Sequence, residues 1–167
     1  GFVAKQFQPL LAERALRGSV HFLGRVPLTD ARALARRCDV FWMPSRWEGC
    51  PYSCLEAMAA RRAVVAARET GLPELVIDSE TGLLVDLLDA AAHVDALSHL
   101  LESPATRERM GAAARERIEC HYTDTAIAAR TVAYYGKCVR PHPSASRPPG
   151  MQLEVGALLQ SLVRDLL

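Results

Sequence analysis

No apolar run in the 167-residue sequence approaches the ~20 residues that a membrane-spanning helix needs. The N-terminal GFVAKQFQPLL has none of the basic segment, apolar core and cleavage site of a secretory signal. Charge of one sign is also lacking. With 20 Lys and Arg against 19 Asp and Glu the net charge is +1, so nothing recommends nucleic acid or an acidic polymer as partner. The five cysteines are odd in number and show no close pairing motif, which argues against a disulfide scaffold and suits a reducing compartment. Cys50 and Cys54 have no second Cys pair or His-x-His partner nearby, so small-residue packing is preferred to zinc. Internal repeats are absent as well. The expected location is cytoplasmic, either free or peripheral to the inner face of the membrane.

What is present fits one soluble domain, with 50% hydrophobic and 23% charged residues. Strand-like and helix-like segments alternate. Gln8 to Arg17 has helical periodicity and stops at Gly18, and VHFLG (Val20 to Gly24) reads as a short buried strand. A helix follows through DARALARR, with Thr29 as cap and Asp30 in its first turn. DVFWM (Asp39 to Met43) is the next strand, and a helix begins near Tyr52 and runs to Arg61 or Arg62. AVVAA (Ala63 to Ala67) has the small, branched composition of a strand buried on both faces. The TGLPE turn enters a short helix, TGLLV (Thr81 to Val85) forms another strand, and helices occupy the segment from Ala90 to Lys137. This order predicts an α/β fold: a Rossmann-like, doubly wound parallel sheet with extra C-terminal helices. The expected division is a domain over residues 1–138, a Pro/Ser-rich linker over 139–150, and an amphipathic helix over 151–167.

Sheets of this kind bind ligands where strand ends lead into helix N-termini. PSRWEGCPYSCLEAMA (Pro44 to Ala59) occupies such a position. Pro51 suits a first helical turn, and the free amides of Cys50, Tyr52 and Ser53 would gather partial positive charge that favours a phosphate. Gly49 lets the backbone approach a ligand. Tyr52, Glu56 and Ala60 form one helical stripe, with Leu55, Met58 and Ala59 facing the core. Glu48 and Glu56 would not hold an anion, but they can accept hydrogen bonds from paired hydroxyls, as on a ribose or hexose. A nucleotide-sugar carries both kinds of group. Taken singly, each glutamate reads first as a solvated charge, Glu48 in a loop and Glu56 on a helix face; the coincidence of strand, Pro-Ser, glycine turn and helix start favours a site.

The same stretch resembles the E-x7-E signature of the family 4 retaining glycosyltransferases, which have the two-domain GT-B fold. The likeness continues in register through VHFLGRVP, AVVAARETGLPELVIDSETGLLV, RERMGAAARERI and Tyr134-Tyr135, covering about Gln8 to Lys137. It implies the donor-binding half of a transferase that uses a nucleotide-diphosphate sugar. Glu48 would contact the donor sugar as the catalytic carboxylate, and Glu56 the ribose. The loop Gly49, Cys50, Pro51 and Tyr52 would approach the sugar and diphosphate. Val26, beside Arg25, would lie at the base, and Thr70 and Gly71 beside the donor. The resemblance implies no obligatory metal and no other cofactor, and no D-x-D motif occurs. The family's diphosphate-binding arginine and lysine, and its acceptor-binding N-terminal domain, are expected upstream of Gly1. The chain alone is therefore expected to be inactive. Pairing of copies through an exposed sheet edge or the C-terminal helix is also expected.

Two other readings remain open at this level: a non-catalytic nucleotide-binding or assembly module, and a sugar-nucleotide epimerase. Among the other polar and aromatic residues, His21 reads as a packed or edge residue, and His93, His99 and His121 as surface groups. Trp42 is expected in the core, Trp47 in packing or lining the cleft, and Ser45 in bracing the loop.

Overall fold

The computed structural model describes residues 18–138 of the chain. The helix expected before Gly18, the linker over 139–150 and the helix over 151–167 lie outside the described residues. The elements run α1 (Leu28–Arg37), β1 (Val40–Met43), α2 (Tyr52–Ala59), β2 (Ala63–Ala67), α3 (Leu72–Leu75), β3 (Gly82–Val85), α4 (Ala90–Glu102), α5 (Pro104–His121) and α6 (Asp124–Cys138). Among the described residues no helix is long and apolar enough to cross a membrane.

The sheet is parallel throughout, in the order β1-β2-β3. β2 lies between its neighbours and all five of its residues are buried, as its alanines and valines require. From Ala63 to Ala66 its side chains alternate between two cores. Val64 and Ala66 face Cys54, Ala57 and Met58 of α2, together with Leu72, Leu75 and Ile118. Ala63 and Val65 face the other way, toward Leu100 of α4 and Met110 of α5. Each buried valine contributes roughly 1.5–3 kcal/mol. Helices therefore cover both faces of the sheet, as expected for a doubly wound fold.

Capping explains the helix limits. Asp89 accepts from the Ala92 N–H at 2.9 Å and Ser103 from the Thr106 N–H at 3.4 Å, with Pro104 beginning α5. Thr123 accepts from the Ala126 N–H ahead of α6. α2 ends earlier than its pattern predicts. Arg61 takes φ of 61°, its N–H donates to the Met58 carbonyl, and the Arg62 N–H reaches back to the Ala57 carbonyl. That pair of bonds is a Schellman closure, here built on arginine instead of glycine.

Four expectations require correction. Val20 to Gly24 forms no strand, and Val20, Phe22 and Leu23 are exposed. In a doubly wound sheet consecutive strands on either side of the switch point are not neighbours. A strand read from composition still needs an adjacent ladder, and among the described strands β1 pairs with β2 alone. α1 begins after Pro27 with no side-chain cap. Thr29 instead donates to Asp30 at 3.4 Å. Trp42 is 49% exposed because β1 lies at the edge of the described sheet, while His93 is buried. The two residues meet: the Trp42 indole N–H donates to His93 Nδ1 at 3.2 Å, with ring centroids 5.7 Å apart.

α5 crosses near the starts of the strands, sending Met110 to one core and Ala114 and Ile118 to the other. Gly111 makes this crossing close, because a Cβ there would overlap the Arg61 carbonyl. Gly111→Ala must push α5 away from the turn that feeds β2, costing about 1–3 kcal/mol or more as overpacking does. Urea unfolding of the chain measures this, and an unchanged midpoint would contradict the packing.

Candidate donor site at the strand carboxyl ends

β1 delivers the chain into the loop 44–51 at the carboxyl edge of the sheet, and β2 delivers it into 68–71 beside that loop. The two loops are clasped. The Thr70 hydroxyl accepts from the Glu48 N–H at 2.9 Å, and the Gly71 N–H donates to the Glu48 carbonyl at 2.9 Å. Both backbone groups of Glu48 are thus fixed, while its carboxylate carries no hydrogen bond to the described residues.

The close approach dictates both residues of the second loop. A Cβ on Gly71 would overlap the Gly49 carbonyl and lie 2.9 Å from the Glu48 carbonyl oxygen. Only glycine fits. Thr70 has φ of 44°, an unusual conformation for a β-branched residue that costs on the order of 1–3 kcal/mol. The hydroxyl bond to Glu48 and the packing of Gly71 hold it there. The following helix α3 is gripped from beneath. Arg117 donates to the carbonyls of Leu75 at 2.8 Å and Glu74 at 2.7 Å, and the Tyr122 hydroxyl donates to Glu74 at 2.9 Å.

The start of α2 faces the same edge. Pro51 is buried and acts as N-cap, one position earlier than the sequence predicts, with no side-chain cap bond. Its carbonyl accepts from Cys54 and Leu55, while the Tyr52 and Ser53 N–H groups have no acceptor among the described residues. The first turn holds no acidic residue, so its positive end is uncompensated. Cys50 and Tyr52 are exposed around it, and Trp47 is 83% exposed instead of packed. Cys54 is the opposite. Burial, with Cys50 and Glu48 close by, pushes its thiol up to about 12, and it serves as core.

Glu56 lies one turn into α2, away from the stripe Cys54, Ala57 and Met58 that is buried. Its carboxylate oxygen Oε1 accepts from Arg32 Nε on α1 at 2.7 Å. A cleft of about 260 Å³ opens beside this pair, lined by Arg32, Arg36, Glu56, Ala59, Ala60 and Arg115. Val26, half-buried, precedes Pro27 at the entrance to α1, and no hydrogen bond joins it to the Glu48 loop. Glu48, Gly49, Thr70 and Gly71 are therefore brought into direct contact. Cys50, Pro51 and Tyr52 continue the same loop, Glu56 is linked to α1, and Val26 stands apart. Among the described residues no group of three or more His, Cys, Asp or Glu side chains is placed to hold a metal ion.

Arg32 escaped the sequence reading because its pairing with Glu56 spans 24 positions and carries no local signature. The Thr70 hydroxyl bond was equally hidden, since the segment shows only a threonine before a glycine.

Residues 3–117 match the family of Glycosyl transferases group 1. The chain belongs to that family. Among group 1 relatives, a D-inositol 3-phosphate glycosyltransferase from Corynebacterium diphtheriae is 39% identical over 117 residues, 70% of this chain and 27% of that enzyme. A sucrose-phosphate synthase from Thermosynechococcus elongatus superimposes with a TM-score of 0.72 at 30% identity, covering 83% of this chain and 35% of the other. HepE from Anabaena, solved in complex with UDP-glucose, shares the fold with a TM-score of 0.67 at 20% identity, over 81% of this chain and 37% of the other. This group 1 chain thus spans about a quarter to a third of the length of the proteins it matches.

Thr70→Val keeps the side-chain shape but leaves the Glu48 N–H without its acceptor, a loss of about 1–3 kcal/mol if that amide stays buried. Amide hydrogen exchange at Glu48 should accelerate in Thr70→Val and in Gly71→Ala, and should stay near wild type in Thr70→Ser. Unchanged protection in both of the first two variants would show that the clasp does not hold the loop.

Proposed function

We propose that this chain is the donor-binding part of a retaining glycosyltransferase, which transfers a sugar from a nucleotide-diphosphate sugar to an acceptor held by another part of a longer protein. The observation that carries the reading is the clasp of two loops at the strand ends. It fixes the Glu48 backbone in the loop that leads into an uncapped helix start, whose Tyr52 and Ser53 N–H groups have no acceptor among the described residues.

On this reading the roles follow from chemistry. The amides of Gly49, Cys50, Tyr52 and Ser53 receive the diphosphate and stabilise it as it leaves, as fixed donors do at an oxyanion site. Glu48 accepts from hydroxyls of the donor sugar, because a carboxylate offers acceptors only. Glu56 accepts from the ribose. Thr70 and Gly71 act through Glu48, keeping its backbone rigid, and the turn at Val26 lies toward the base. No metal is called for, since charge on the leaving group is met by amides and by cations supplied elsewhere. The relatives' names support transferase chemistry, and the UDP-glucose complex of HepE supports a nucleotide-sugar as the ligand. A cytoplasmic location fits such a donor.

Calorimetric titration of the 167-residue chain with UDP, GDP, ADP and their glucose conjugates tests the reading. One of these series should bind, and Glu56→Ala should weaken it about tenfold or more, the value of a lost hydrogen bond to a charged group. Glu48→Ala should weaken the sugar conjugate more than the bare diphosphate. If none binds at millimolar concentration, or both variants leave affinity unchanged, the donor-site reading fails. The chain alone should not turn over the donor. Transfer at the ~1–10³ s⁻¹ usual for enzymes would refute its dependence on a second part.

A further inference from the structure

The bond between Arg32 and Glu56 has an uncommon form. Arginine often meets a carboxylate through a fork of two parallel N–H donors. Here a single donor, Nε, contacts a single acceptor, Oε1, at 2.7 Å. The second oxygen of Glu56 receives no hydrogen bond from the described residues. Glu56 lines the cleft between α1, α2 and α5.

Stability does not account for this pair. Its side chains are 51% and 25% exposed, and exposed ion pairs contribute little to folding. Nor is simple proximity of charge a sufficient reason. Arg36 lines the same cleft one turn further along α1 and holds no partner among the described residues, while Arg115 is committed to the Ala59 carbonyl and to Glu119. Of three guanidinium groups around Glu56, only Arg32 grips it. What the bond does supply is orientation. A glutamate on a helix face has several rotatable torsions and would otherwise sample many directions. Fixing Oε1 narrows the directions open to the carboxylate and leaves Oε2 available as an acceptor.

We infer that Arg32 is a positioning residue for Glu56, holding one oxygen so that the other meets a ribose hydroxyl. The inference rests on the reading of Glu56 as the ribose contact. Arg32 itself does not touch the ligand. Its loss leaves the carboxylate present but unaimed, so discrimination between a ribose and a 2′-deoxyribose falls, which a merely structural surface pair would not alter.

The test is the ratio of dissociation constants for a ribonucleoside diphosphate and its 2′-deoxy counterpart, using UDP, GDP or ADP, whichever the wild-type chain binds. Wild type should prefer the ribose form by about tenfold, and Arg32→Ala should reduce that preference to within about twofold, with little change in melting temperature. Arg32→Met, which keeps the aliphatic stem, is read by the same criterion if Arg32→Ala lowers the melting temperature. If Glu56→Ala removes the preference while Arg32→Ala or Arg32→Met retains it, the ribose reading stands and the role of Arg32 is refuted. If Glu56→Ala also retains the preference, or wild type shows none, the ribose reading fails and takes the inference with it.

Discussion

Everything at the candidate site depends on the contact between the backbones of Glu48 and Gly71. Two loops that follow adjacent parallel strands approach so closely that no side chain fits between them. The contact is possible only because β1 and β2 run parallel in a fixed register, Val40 beside Ala63 and Met43 beside Ala66, which brings their carboxyl ends level. That register is enforced by burial. A one-residue slip would swap the faces of β2 and require each core to accept the other's side chains. The hydrophobic alternation of AVVAA is thus the distant cause of the position of the Glu48 carboxylate.

Support for the contact passes downward through the molecule. α3 is short and has no stability of its own at four residues. It is held by Arg117 and Tyr122, whose side chains also stack, with the guanidinium 5.6 Å from the ring centroid. These residues come from the end of α5 and the turn after it, and α5 is seated by Gly111 against Arg61. The strained backbone of Thr70 is over-determined by this framework. A threonine at positive φ persists where its surroundings leave no alternative. Strain of this kind gathers at functional sites, and here it sits on the residue that fixes the Glu48 amide.

How much of this was legible in the sequence varies with the range of the interaction. The strands β1, β2 and β3, and the helices with side-chain caps at Asp89, Ser103 and Thr123, follow from local composition and capping. The loop 44–51 was found for the same reason, since strand, glycine and helix start are neighbours in sequence. Val20 to Gly24 shows the limit. Its composition is that of a strand, but pairing is decided by sheet order, which composition does not encode. His93 fails similarly: its polarity suggests a surface residue, yet the edge position of Trp42 gives its buried ring a partner. Arg32 and Glu56 are the clearest case. Each is an ordinary helix-face charge by pattern, and only the packing of α1 on α2 makes them a pair.

The charge balance of the site gives the pair a second meaning. Glu48 and Glu56 bring two negative charges to the edge where the proposed donor would place a diphosphate. The α2 N-terminus answers with about half a positive charge, and free amides add directed donors. Arg32 cancels Glu56 locally, so the ribose contact is made by a carboxylate whose charge is already matched. Glu48 has no such partner among the described residues, and its loop leads directly into the free amides of α2. A diphosphate there would meet the Glu48 charge as well as the helix end, so affinity at this edge depends on cations as well as amides. The geometry that selects the sugar and ribose is therefore separable from the charge that supplies affinity. On the proposed reading the carboxylates carry the first, and cations near the diphosphate carry the second.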